Sequence, residues 1–224
     1  MEYLKQHLKQ KTDFYAQLKK YLPSDKDSRI LDLGCSKGQF VNYLNELGYT
    51  NVLGLDSDKL KVDFCFARSV ENVMYVDVFE FLRNDTKTYD LFILSHFLEH
   101  LDREEIEEIF KLMSSKLKNG GSILIITPNM ASFNGLYYRY MDYTHKIGFT
   151  ATSLQHVLKS YFTYSEVTSM DMPAISKSRA ALLKLISPIF NLTIKTMARV
   201  YWPSAVSKES KPILVGVAKK WKEI

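Results

Sequence analysis

Three short apolar runs in this 224-residue chain each lead into an aspartate: Ile30-Leu31 into Asp32, Val52 to Leu55 into Asp56, and Val73 to Val76 into Asp77. After Asp32 come Leu33, then Gly34 and Gly38 around Cys35-Ser36-Lys37, and then the amphipathic stretch Gln39 to Leu47. That order spells strand, tight turn and helix. A turn that cradles a pyrophosphate reads G-x-G-x-x-G, whereas here the spacing is Gly34-x-x-x-Gly38 and a carboxylate stands beside the turn. Asp32 would repel phosphate and attract a cation. Asp56, about 20 residues past the turn, is placed to accept hydrogen bonds from both hydroxyls of a ribose. The chemistry indicated is capture of a nucleoside that carries positive charge in place of phosphates.

S-adenosylmethionine has an ammonium, a sulfonium and no phosphate, and so suits these acids. At these residues the chain resembles the class I S-adenosylmethionine-dependent methyltransferases, whose first motif, roughly D-x-G-C-G-x-G, is matched by Asp32, Gly34, Cys35 and Gly38. Ser36 departs from it, standing where the family usually has its middle glycine. The resemblance implies that Asp77 meets the adenine amino group, with Val78 among the apolar groups flanking the ring. A fourth run, Tyr89 to Leu94, ends in Ser95-His96-Phe97-Leu98-Glu99-His100-Leu101, close to a family signature that follows the fourth strand. The expected cofactor contacts are Asp32, Gly34, Cys35, Gly38, Asp56, Ser57, Asp77, Val78 and Ser95.

These residues need a scaffold that brings strand ends together. Alternating apolar runs and helical patterns indicate a doubly wound α/β fold, and the resemblance implies a Rossmann-like, seven-stranded, mostly parallel sheet whose last strand is antiparallel. The chain reads as one methyltransferase domain over 1–224. It would comprise an N-terminal helix at 2–22, a cofactor-binding core at 28–172, a basic helical insertion at 174–207 and a last strand at 212–218. Asp102 to Leu117 is expected as a helix capped by Asp102 and closed by Asn119-Gly120-Gly121. Ser122 to Thr127 is expected as the fifth strand, Thr152 to Tyr161 as a helix, and Phe162 to Ser169 as a strand.

Charge is unevenly spread. Residues 174–224 hold 10 Lys and Arg against 2 Asp and Glu, although the whole chain carries only +5. Residues 177–202 contain no acid, and Lys177, Lys184, Lys195 and Arg199 fall on one stripe of a helix beside many apolar residues. Such a segment suits an anionic lipid surface; docking on the domain or on a second copy is the other reading. With two cysteines, no signal-like N-terminus and no run of 18 apolar residues, the expected setting is cytoplasmic, with possible peripheral contact at the inner face of the membrane. A homo-oligomer is compatible with this, and no nucleic-acid partner is expected, since the basic excess lies far in sequence from the strand tips.

For the acceptor, residues 130–149 lack a clear period and are rich in aromatic and polar side chains, as functional connections often are. Within the superfamily, Asp142-x-Thr144-His145, followed by Phe149-Thr150 and Ser153-Leu154, is similar to methyltransferases linked to bacterial surface-polysaccharide and lipopolysaccharide biosynthesis. The expected reaction is therefore O-methylation of a sugar, glycan or other small hydroxylated acceptor, with His145 as general base and Asp142 orienting its ring. His96 and His100, four apart, share a helical face, but no third ligand is evident and no metal is expected. The alternatives are an NAD-dependent oxidoreductase, disfavoured by Asp32, and a nucleic-acid methyltransferase, which lacks its Asn-Pro-Pro-aromatic signature here.

Overall fold

The computed structural model describes residues 13–172 and 209–220, together with 181–182, 185–186, 188–189, 192–193, 196–197 and 199–200 between them. Residues 2–12 of the expected N-terminal helix and most of the expected insertion lie outside the described residues. A helical segment, α1, covers 13–18 and runs into a 3-10 turn at Lys19–Tyr21.

Seven strands form one sheet: β1 (Ile30–Leu33), β2 (Val52–Asp56), β3 (Val73–Tyr75), β4 (Tyr89–Ser95), β5 (Leu117–Pro128), β6 (Tyr164–Met170) and β7 (Ile213–Lys219). Their order is β3-β2-β1-β4-β5-β7-β6, and β7 runs antiparallel to both neighbours. The helices are α2 (Gln39–Glu46), α3 (Lys59–Phe66), α4 (Val78–Asn84), α5 (Arg103–Lys116), α6 (Gly135–Tyr140) and α7 (Ala151–Lys159).

Because side chains alternate across a strand, each inner strand feeds two cores. Leu31, Leu33, Phe92, Leu94, Ile123 and Ile125 pack with α5 and α7 residues such as Ile109, Phe110, Leu154 and Leu158. Ile30, Leu91, Ile93, Leu124 and Ile126 pack with Phe14, Leu18, Phe40, Val41 and Leu44 from α1 and α2. Burial on both faces explains why these strands read as continuous apolar runs. Asp32 shares the parity of Ile30, and its carboxyl therefore enters the α1/α2 side.

The order of strands reverses between β1 and β4, and the crevice at such a reversal, beyond the carboxyl ends of the strands, is where open α/β sheets bind ligands. Asp102 caps α5 in a reciprocal pair with Glu105, as the sequence suggested. The helix ends at Lys116, within a residue of its expected end, but β5 begins at Leu117 rather than Ser122 and takes in the glycines, because Leu117 already pairs with Tyr89 before a register shift leads to Leu91↔Ser122. Residues 130–149, read as irregular, contain the short helix α6.

Candidate active site

The turn after β1 is shaped by backbone that most side chains avoid. Gly34 has φ +72°, and a Cβ there would lie 2.4 Å from Cδ2 of Phe97, so only glycine lets the β1 and β4 loops meet. Ser36 has φ 52°, the left-handed region where an L side chain is strained by about 1 kcal/mol or more. Ser36→Gly is expected to raise thermal stability by about 0.5–1 kcal/mol, read from the melting curve.

Asp56 fixes the turn. Its Oδ2 accepts from Ser36 N at 2.7 Å and its Oδ1 from Asp58 N at 2.9 Å, tying the β1 loop to the β2 loop. Asp32 is its opposite in partnership, being 1% exposed with an Oδ1 that accepts no hydrogen bond. Burial, and then the nearby Asp56 charge, push the Asp32 carboxyl up to about 7. Burial, then Asp32 and Asp56, also raise the Cys35 thiol well above its ordinary value, so Cys35 stays protonated and is not a nucleophile.

These groups line a cavity of about 650 Å³ over the β1/β4 crevice. From the expected set, Asp32, Gly34, Cys35, Asp56, Ser57, Val78 and Ser95 line it, and Asp142 lines it on the acceptor side. Gly38, Asp77 and His145 do not line it. Gly38 is the left-handed N-cap of α2, and Asp77 caps α4 by accepting from Glu80 N. Tyr15, stacked on Phe40 with ring centroids 4.4 Å apart, forms a wall that the sequence placed only loosely over the cofactor.

The histidines are arranged differently from the expectation. The Asp142 carboxylate does not bond the His145 ring, although His145 N donates to the Asp142 carbonyl at 3.2 Å; its Oδ1 accepts from Thr144 N at 2.9 Å and from Thr144 Oγ1 at 2.7 Å. These bonds, the hydroxyl first, hold the Asp142 carboxyl below the usual range. Thr144 Oγ1 also meets His100 Nδ1 at 2.9 Å, whereas His145 Nδ1 meets the Tyr138 carbonyl at 2.8 Å. The Asp142 carboxylate therefore reaches His100, through Thr144, rather than the His145 ring.

His96, next to Ser95 at the tip of β4, lines the cavity with φ 54°, and its Nδ1 lies 3.0 Å from Oε1 of Glu99. Glu99 is 2% exposed and also accepts from Thr127 Oγ1 at 3.1 Å. Burial opposes its charge, but the His96 hydrogen bond and the neighbouring histidines outweigh burial, and its carboxyl lies below the ordinary value. Glu99 is an ionised acceptor, so His96 donates Nδ1–H to it, and the neutral form of that ring carries its lone pair on Nε2. The His-x-x-Glu spacing at 96 and 99 was visible in the sequence, but the left-handed turn that folds one onto the other was not.

An unpartnered buried carboxylate oxygen, an aspartate at the second strand tip and a glycine turn that admits close approach fit S-adenosylmethionine: Asp32 would meet positive charge and Asp56 the ribose. The comparisons agree. Residues 3–167 match the model of the family described as "Methyltransferase domain". The chain belongs to this methyltransferase family.

Among solved structures, an S-adenosylmethionine-dependent methyltransferase from Archaeoglobus fulgidus is 27% identical, with TM-score 0.69 and 92% of each chain covered. The plantazolicin methyltransferase BpumL, solved with S-adenosylhomocysteine, shares the fold at TM-score 0.56 and 18% identity, covering 96% of this chain and 84% of that one. The ribosomal protein L11 methyltransferase of Thermosipho melanesiensis is 34% identical over 109 residues, which are 48% of this chain and 40% of that protein. This methyltransferase uses S-adenosylmethionine, whose methyl group sits on a sulfonium and leaves readily.

Proposed function

We propose that this methyltransferase transfers the methyl group to a hydroxyl oxygen of a sugar, glycan or other small hydroxylated acceptor, with His96 as the base. The observation that carries the proposal is His96 on the wall of the cofactor cavity, held from behind by the buried Glu99. A hydroxyl at the cavity mouth gives its proton to His96 Nε2 as the new oxygen–carbon bond forms. The carbon–sulfur bond breaks, its electron pair stays on sulfur, and His96 returns the proton to solvent. Glu99 holds the ring in the accepting tautomer and stabilises the imidazolium. Placement supplies the remainder, because the sulfonium is already a good leaving group.

Support for a glycan comes from the rim. Phe133, Tyr137, Tyr140 and Tyr143 are 66–102% exposed on and around α6, and flat rings, three of them with a polar tip, suit sugar faces. The similarity of the Asp142 to Leu154 stretch to polysaccharide-linked methyltransferases points the same way. The test is transfer of labelled methyl to panels of glycans, small alcohols, amines and peptides. Label on hydroxylated acceptors is expected, and turnover confined to amines or proteins would refute the proposal.

The insertion supports a location for such an acceptor. Leu182, Leu185, Ile186, Ile189, Leu192, Met197 and Val200 are 49–72% exposed at helical positions. Combined with an acid-free, lysine-bearing sequence, this suits an anionic lipid surface carrying a lipid-linked glycan. Among the described residues no helix is long and apolar enough to cross a membrane. Flotation with anionic vesicles is expected at low salt and lost at high salt; no flotation at low salt would remove the membrane.

A further inference from the structure

We infer that Glu99, His100 and His145 form a binding site for a divalent first-row transition-metal ion at the edge of the cofactor cavity, and that this ion takes the acceptor oxygen. The second half rests on the O-methylation proposed above; the site itself does not. One donor atom from each of the three side chains lies within 4.8 Å of the others. Bonds of about 2.0–2.2 Å would draw such donors to roughly 3 Å apart, which rotation of two rings and one carboxylate can supply. The sequence offered His96 and His100 without a third ligand; the fold instead sets the His100 and His145 rings 4.8 Å apart.

Hydrogen bonding fixes both rings in the ligating form. Thr144 gives its only hydroxyl proton to Asp142 Oδ1, so at its 2.9 Å contact it accepts from His100 Nδ1. The Tyr138 carbonyl can only accept, so His145 Nδ1 donates to it. Each ring is left with its lone pair on Nε2. Metal-bound imidazoles are held in this way, with the second nitrogen donating to a carbonyl or other fixed oxygen. Between two neutral rings, a direct hydrogen bond would require one of them to move its proton to Nε2 and abandon its Nδ1 partner.

The third ligand is prepared as well. Glu99 is buried, is held by His96 and Thr127, and has lone pairs to spare because each carboxylate oxygen has two. The backbone carbonyl of Glu99 accepts from Lys146 N at 2.8 Å, so the loop carrying His145 is pinned beside it. Two imidazoles and one carboxylate from one side favour ions such as Mn²⁺, Co²⁺ or Zn²⁺ over Ca²⁺, and leave other positions for an incoming oxygen. An ion there lowers the pKa of a hydroxyl before His96 receives its proton.

The test is titration of Co²⁺ into the full chain after chelator stripping, followed by visible ligand-field absorption and calorimetry. One ion per chain is expected, with His145→Ala and Glu99→Gln each weakening it about tenfold or more. Because His145 does not line the cavity, His145→Ala should bind S-adenosylmethionine as the parent does, which certifies its fold; His100→Ala replaces Glu99→Gln if the latter does not fold. No saturable cobalt binding, or binding that survives His100→Ala and His145→Ala, overturns the site. Methyl transfer undiminished by chelation overturns the role of the ion and leaves O-methylation standing. A cobalt-loaded chain that methylates no hydroxylated acceptor overturns the function and leaves the site intact.

Discussion

His96→Asn is expected to lower kcat by about 100- to 10,000-fold while leaving the Kd for S-adenosylmethionine within about twofold. Asparagine is the appropriate replacement because position 96 has φ 54°, a conformation that asparagine tolerates and alanine does not. The variant therefore removes the proton acceptor with little strain added. Glu99→Gln should act through His96: an amide either accepts less strongly or turns its NH₂ to the ring, favouring the wrong tautomer. Partial activity is expected for Glu99→Gln, which keeps the imidazole but loses its charged orienting partner, and a loss at every pH for His96→Asn. Single-turnover rates against pH make the comparison, and wild-type kcat in His96→Asn would remove His96 from the mechanism.

The apoprotein should lose stability as pH rises from about 4 to about 7, and Asp32→Asn should abolish that slope. The Asp32 carboxyl is pushed up to about 7 in the folded chain, by burial first and by Asp56 second. A carboxyl raised by folding binds its proton more tightly in the folded than in the unfolded chain. Stability from this group is thus present below the unfolded pKa and is lost as pH climbs to the folded one, a difference on the order of 4 kcal/mol. Above pH 7, Asp32→Asn is expected to be more stable than the parent by several kcal/mol and to bind S-adenosylmethionine about 10- to 100-fold more weakly. Cofactor binding near pH 6 should release a proton as Asp32 ionises against the ligand's positive charge. Chemical denaturation across pH, and calorimetry in buffers of different ionisation heat, read both effects; a parent slope shared by Asp32→Asn would show that another group is responsible.

The strands were legible because burial on both faces writes them as unbroken apolar runs: Ile30–Leu33, Val52–Asp56, Tyr89–Ser95 and Ile213–Lys219 all fall within a residue or so of their sequence readings. The helix Arg103–Lys116 was legible from its cap and its stripe of Ile106, Ile109, Phe110 and Met113. Helix Lys59–Phe66 had no such stripe, since it buries only Val62 and Cys65 and exposes Leu60, Phe64 and Phe66. Gly135–Tyr140 was hidden by outward-facing aromatics. On the cofactor side, the acids at the tips of β1 and β2 could be named from local pattern alone. The acceptor side could not, because its pairing depends on which way three imidazoles turn. Thr144, which the sequence reading named in the Asp142-x-Thr144-His145 pattern without giving it a role, is the group that carries the carboxylate to His100.

One carboxylate straps two loops together: Asp56 accepts from Ser36 N and from Asp58 N before any ligand enters. The walls that face the adenosine are therefore already in register, and little chain ordering accompanies its arrival. Nucleoside capture should behave as docking into a rigid mould, with a single-phase association and no slow isomerisation afterwards. Cutting that strap with Asp56→Ala should slow arrival as well as hasten departure, which loss of ribose contacts alone would not do.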